Sequence, residues 1–158
     1  MIVRMSHIGI SVSDLEKAIE FYRTLFNMKV SLRRPFAGEM YERILALKGA
    51  FGNVALLKGP DVEIELFEFE NPAPAHSDPN RPVCDHGITH FCVEVTNLDQ
   101  EYARLVAAGV SFHCAPVEIP GVIKGTYGRD PDGNVFELIE ILAHGNSISE
   151  NNRSNAMS

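Results

Sequence analysis

Apolar residues alternate with polar ones over 7–12: Ile8, Ile10 and Val12 fall on one side, His7, Gly9 and Ser11 on the other. A period of two is a strand. The period then changes, and Leu15, Ala18, Ile19 and Tyr22 recur at helical spacing. The same order returns later with an offset of 83: Phe91, Val93 and Val95 oppose His90, Cys92 and Glu94, and Leu98, Tyr102, Leu105 and Val106 form a helical stripe. Ser13 with Glu16 reads as a capping box for the first helix, Thr96 or Asn97 caps the second, and Gly109 stops it. Each half also closes alike, with "DVEIELFEFE" over 61–70 and "GNVFELIEI" over 133–141, now at an offset of 72. The first half therefore holds about eleven extra residues. They are placed in "RRPFAGEMYERILALKGA", read as a loop and an added helix. "KVSLRR", "GNVALLKG", "GVSFHC" and "VIKGTYG" supply the remaining strands.

The pattern predicts an α+β chain of two βαβββ modules, one over about 3–70 and one over about 87–142. A Pro-rich linker, 71–86, joins them into one domain, 1–142, and 143–158 is expected to be a flexible polar tail.

Composition narrows the partners. A net charge of −7 disfavours nucleic acid, where cationic contacts to phosphate dominate. No apolar run approaches the ~20 residues of a membrane span, and the N-terminus lacks the pattern of a secretory signal. Three cysteines (Cys84, Cys92, Cys114) without CxxC spacing argue against a disulfide framework and point to the cytoplasm.

The repeat retains two histidines and two glutamates in equivalent places: His7 with His90, and Glu65 with Glu137. Imidazole nitrogen and carboxylate oxygen are ordinary ligands for Zn, Ni, Co, Mn or Fe. Four such ligands on a six-coordinate divalent ion leave two positions for a substrate that chelates through two oxygens. A lone histidine near a strand start is more often a hydrogen-bonded surface residue; registration across a repeat, each with a glutamate, raises the metal reading above that one. Glu68 and Glu140 are registered too, but point to the opposite face and read as rim or structural residues. His86 reads as a loop residue, His76 and His113 as surface residues, and Cys92 as a small pocket wall rather than a nucleophile. Tyr127, just before "DPDGN", stands between substrate contact and simple packing.

Four segments carry a resemblance: "HIGISVSDLEKAIEFYRTLFNM", "IELFEF", "HGITHFCVEVTNLDQEYARLVAAGV" and "YGRDPDGNVFELIE". Over about residues 3–142 the chain resembles the vicinal oxygen chelate superfamily, which includes glyoxalases, bleomycin-resistance proteins and extradiol dioxygenases. The resemblance implies modules curled into a half-open sheet around a divalent metal held by His7, Glu65, His90 and Glu137. It implies a lyase, isomerase or epimerase acting on a small oxygen-rich molecule through an enediolate or enolate, with Glu137 or Glu65 as base, and a homodimer. Ser11 and Phe69 stand where bacterial glyoxalases I usually carry Arg and Asn for glutathione. Two alternatives stay open. One is an Fe(II) extradiol-type dioxygenase using His7, His90 and Glu137, against which a fourth ligand at Glu65 counts. The other is a non-enzymatic binder of cationic drugs, which the net charge suits.

Overall fold

A computed structural model describes residues 1–75 and 78–142. His76 and the tail from 143 onward lie outside the described residues, so the expectations for them end with the sequence. The described chain forms two compact units. The first comprises Met1–Arg81 with Asp130–Gly133; the second comprises Pro82–Arg129 and the described residues from Asn134 to Leu142.

The first unit runs β1 (Ile8–Ser11), α1 (Leu15–Leu25), β2 (Lys29–Phe36), α2 (Glu39–Leu45), β3 (Phe51–Lys58) and β4 (Glu63–Asn71). Its sheet has the order β1-β4-β3-β2, with β1 parallel to β4 and the other pairs antiparallel. The alternation read from sequence sorts the faces. Ile10, Leu66, Ile64 and Leu57 are buried on the face that carries α1, whose Leu15, Ala18, Ile19 and Tyr22 are buried as well. The inserted helix α2 covers the far end of the opposite face. There Tyr41 and Leu45 from the helix, with Phe67 and Phe69 from β4, pack on Phe36, Ala50 and Val54.

The "DPDGN" turn belongs largely to this unit. Asp132 Oδ1 accepts from the Ser13 backbone N–H, and Asp130 Oδ2 accepts from the Tyr22 hydroxyl at 2.8 Å, where both side chains are buried. Gly133 has φ +85°, and a Cβ there would come within 2.4–2.8 Å of the Pro79 backbone, so the position demands glycine.

The second unit runs β5 (Phe91–Glu94), α3 (Leu98–Ala107), β6 (Ser111–Phe112), β7 (Val117–Ile119), β8 (Ile123–Arg129) and β9 (Val135–Ile141). Its order is β5-β9-β8-β6, again with one parallel pair, and β7 also pairs with β8. The expected strand "GVSFHC" shrinks to two residues, and the chain forms the unanticipated β7 beyond it. Helix α3 buries Leu98 and Leu105. No helix among the described residues is long and apolar enough to cross a membrane.

The helix starts differ from expectation in one instance. Asp14, not Ser13, caps α1 and accepts from the Lys17 N–H, while Asn97 caps α3 as anticipated. The partner from elsewhere in each unit is the registered glutamate. Glu68 Oε1 accepts from the Leu15 N–H at 3.1 Å, and Glu140 accepts from the Asn97 and Leu98 N–H groups, both at 2.9 Å. A carboxylate facing a helix N-terminus satisfies orphan donors and opposes the positive end of the helix dipole. Glu68 and Glu140 thus tie each last strand to the first helix of its module, a structural role.

Candidate metal centre

In each unit the last strand lies parallel to the first and puts its glutamate beside the residue that enters that first strand. Glu65 is registered with Gly9, and Glu137 with Cys92. The histidine two positions earlier therefore leans toward the carboxylate. His7 Nε2 lies 3.3 Å from Glu65 Oε2, and His90 Nε2 lies 3.1 Å from Glu137 Oε2. All four side chains are partly exposed, from 24% to 41%.

The other ring nitrogen is engaged in the same way in both pairs. His7 Nδ1 stands 3.3 Å from Ser6 Oγ, and His90 Nδ1 stands 2.9 Å from Thr89 Oγ1. With an ion bound, Nδ1 would donate to the hydroxyl and Nε2 would turn its lone pair to the metal, the arrangement by which outer partners orient a ligating imidazole. Ser6 and Thr89 were missed in the sequence reading. Their signal was there, since a hydroxyl precedes each histidine at the same offset of 83.

The two pairs sit in different surroundings. Across β1-β4-β3 the Glu65 row reads Gly9–Glu65–Leu56, whereas across β5-β9-β8 the Glu137 row reads Cys92–Glu137–Tyr127. The Tyr127 ring lies on the His90 ring with centroids 4.8 Å apart, and His113 flanks it at 6.0 Å. Tyr127 therefore braces His90. Burial, then the Glu137 carboxylate and a hydrogen bond to it, push the Cys92 thiol up to about 12. A thiol held protonated is a poor nucleophile at neutral pH, although the side chain itself is exposed. His86 and His113 are exposed, as expected.

The donor set of each pair, one imidazole nitrogen and one carboxylate oxygen with an outer hydroxyl, fits a borderline divalent ion. Among the described residues no group of three or more His, Cys, Asp or Glu side chains gathers as a cage, so what the chain presents is two half-sets of ligands.

Comparison with known proteins adds an independent line. The family model for the Glyoxalase/Bleomycin resistance protein/Dioxygenase superfamily matches residues 4–138. A 2-epi-5-epi-valiolone epimerase from Actinomyces sp. is 30% identical over 151 residues, covering 89% of this chain and 81% of that protein. The metallothiol transferase FosB of Shouchella clausii is 29% identical over 154 residues, covering 91% and 88%. A solved structure of a glyoxalase family protein from Bacillus cereus superposes with a TM-score of 0.84 at 25% identity, over 90% of this chain and 97% of that one.

Proposed function

The chain belongs to the glyoxalase/bleomycin resistance protein/dioxygenase superfamily, and from that premise we propose that it is a divalent-metal-dependent lyase, isomerase or epimerase. Its ligands are His7, Glu65, His90 and Glu137. The observation that carries this reading is the repeated pair: one histidine and one glutamate per module, on equivalent strands, with Nε2–Oε2 separations of 3.3 and 3.1 Å. The epimerase and the transferase among its relatives support an enzyme rather than a passive binder.

The roles follow from chemistry. When bound, a divalent ion supplies Lewis-acid stabilisation of negative charge on a substrate oxygen. His7 and His90 bind through Nε2, held in orientation by Ser6 and Thr89. Glu65 and Glu137 each contribute a carboxylate oxygen. Glu137 also takes the proton from a carbon next to the substrate carbonyl and returns it, to the other face for epimerisation or to the adjacent carbon for isomerisation. Glu137 is preferred to Glu65 because polar side chains flank it. Cys92 and Tyr127 stand opposite it on the neighbouring strands, where Glu65 faces Gly9 and Leu56.

The test is hydrogen exchange from D2O into α-hydroxyketones, hemithioacetals and branched thioesters, followed by NMR on protein loaded with Zn, Ni, Co, Mn or Fe. The expected result is metal-dependent exchange with at least one class, abolished by Glu137→Gln. Oxygen uptake on catechols with iron, or failure to retain any divalent ion, overturns the reading.

A further inference from the structure

We propose that Arg34 recognises an anionic group, carboxylate or phosphoryl, at the end of the substrate away from the chelating oxygens. The inference rests on the metal reading above and names the class of substrate for that site.

The placement follows from strand register. Arg34 on β2 is opposite Val54 on β3, and Val54 is opposite Phe67 on β4. Residues directly opposite one another share a face, as do residues two apart on a strand, so Arg34 lies on the face that carries Phe67 and Glu65. Its neighbour Arg33 gives an internal check: it projects from the other face and pairs with Glu16 on α1. Arg34 is one row along and two strands across from Glu65, a backbone separation of about 12 Å from ordinary strand spacings. Between them the floor is apolar: Leu56, Val54 and Phe67.

Arg34 is also held. Its guanidinium carbon lies 5.7 Å from the centre of the Tyr41 ring, and Tyr41 is packed against Phe36 at 5.2 Å, within the aromatic cluster under α2. An arginine stacked on an anchored ring loses less freedom on binding, and its planar fork stays open for a carboxylate or phosphoryl group. Among the described residues no carboxylate pairs with Arg34, whereas its neighbour Arg33 is taken by Glu16. On this face Glu63 is already matched by Lys58 and Arg4, so on a chain of net charge −7 Arg34 supplies positive charge that Glu63 does not consume. The equivalent positions of the second module carry Gly125, Ile139 and, on β7, Val117, so the cation belongs to one side only. The substrate read from this face has a chelating head, a short apolar spacer and an anionic tail.

The test uses two hydroxamates on Mn²⁺-loaded protein: acetohydroxamate, a neutral bidentate chelator, and succinohydroxamate, which adds a terminal carboxylate. Calorimetry on wild type should give about tenfold or more tighter binding for the second. Arg34→Gln should remove that preference and leave acetohydroxamate affinity unchanged. Arg34→Lys should keep part of it, and Arg33→Gln on the opposite face all of it. Equal affinities on wild type, or a preference that survives Arg34→Gln, overturn the anion assignment alone. If neither hydroxamate binds the loaded protein better than EDTA-stripped protein, the metal reading falls and this proposal with it.

Discussion

Glu137 and Glu140 sit three positions apart on one strand, and the proposed function gives them opposite tasks. Glu140 is the sharper test, because its task is fully visible. Its two oxygens accept the Asn97 and Leu98 N–H groups at 2.9 Å each, at the start of α3, where Leu98 is fully buried. The help from Asn97 is weaker: its side chain accepts the Gln100 N–H at a long 3.4 Å. Replacing Glu140 by Ala removes two charge-assisted bonds and the charge facing the helix dipole. With each bond worth about 1.5 kcal/mol net and partial exposure reducing the sum, the loss is about 2–3 kcal/mol. For a chain of this size that lowers Tm by roughly 4–12 °C. Glu140→Gln keeps one accepting oxygen and loses the charge, so it should fall about halfway. Glu68→Ala should cost less than Glu140→Ala, since Asp14 also caps α1, with an acceptor distance of 3.0 Å. The assay is thermal unfolding by circular dichroism, with metal retention after dialysis measured by mass spectrometry on the same samples. Glu140→Ala should lower Tm and keep the metal. An unchanged Tm, or loss of the metal from Glu140→Ala, would refute the division of labour.

Further outcomes follow from the same structure. Tyr22→Phe removes the 2.8 Å bond to buried Asp130 and should cost about 1.5–3 kcal/mol in denaturant titrations. Burial, then Asp130, hold the Tyr22 phenol well above its ordinary value. The protonated phenol is the folded form, so its contribution is complete below about pH 10 and is lost as pH rises beyond, where the unfolded phenol ionises. Wild type should therefore lose stability above about pH 10 more steeply than Tyr22→Phe does, and parallel alkaline profiles would contradict this. Gly133→Ala forces a Cβ onto the Pro79 backbone at positive φ and should destabilise by about 2–4 kcal/mol in the same titrations. Cys92, its thiol pushed up to about 12, should alkylate with iodoacetamide more slowly than free cysteine at pH 8; peptide mapping reads the rate.

Much of this was legible in the sequence because the repeat supplied its own control. Period-two alternation around His7 and His90 fixes both first strands, and the registered Glu-Leu-Phe/Ile-Glu segments fix both last ones. Once a parallel pairing joins first to last strand, each histidine must meet its glutamate. What escaped depends on contacts that sequence distance hides. Ser13 and Asp14 are both capping types, and the choice between them is tied to Asp132, 119 residues away, which accepts the Ser13 N–H. Strand β7 was missed because all three of its residues are exposed and carry no alternation. The face of Arg34 was illegible for a related reason. Strand β2 is exposed along nearly its whole length, and an irregularity between Val30 and Leu32 shifts its register, so only the pairing with β3 tells which way each arginine points.

The central claim is that two half-sets of ligands serve one ion. The most direct measurement is anomalous diffraction from crystals of the full chain grown with Co²⁺. One cobalt peak per chain is expected, with His Nε2 atoms at about 2.1 Å and carboxylate oxygens from both Glu65 and Glu137. A separate ion at each pair, or none at either, would contradict it.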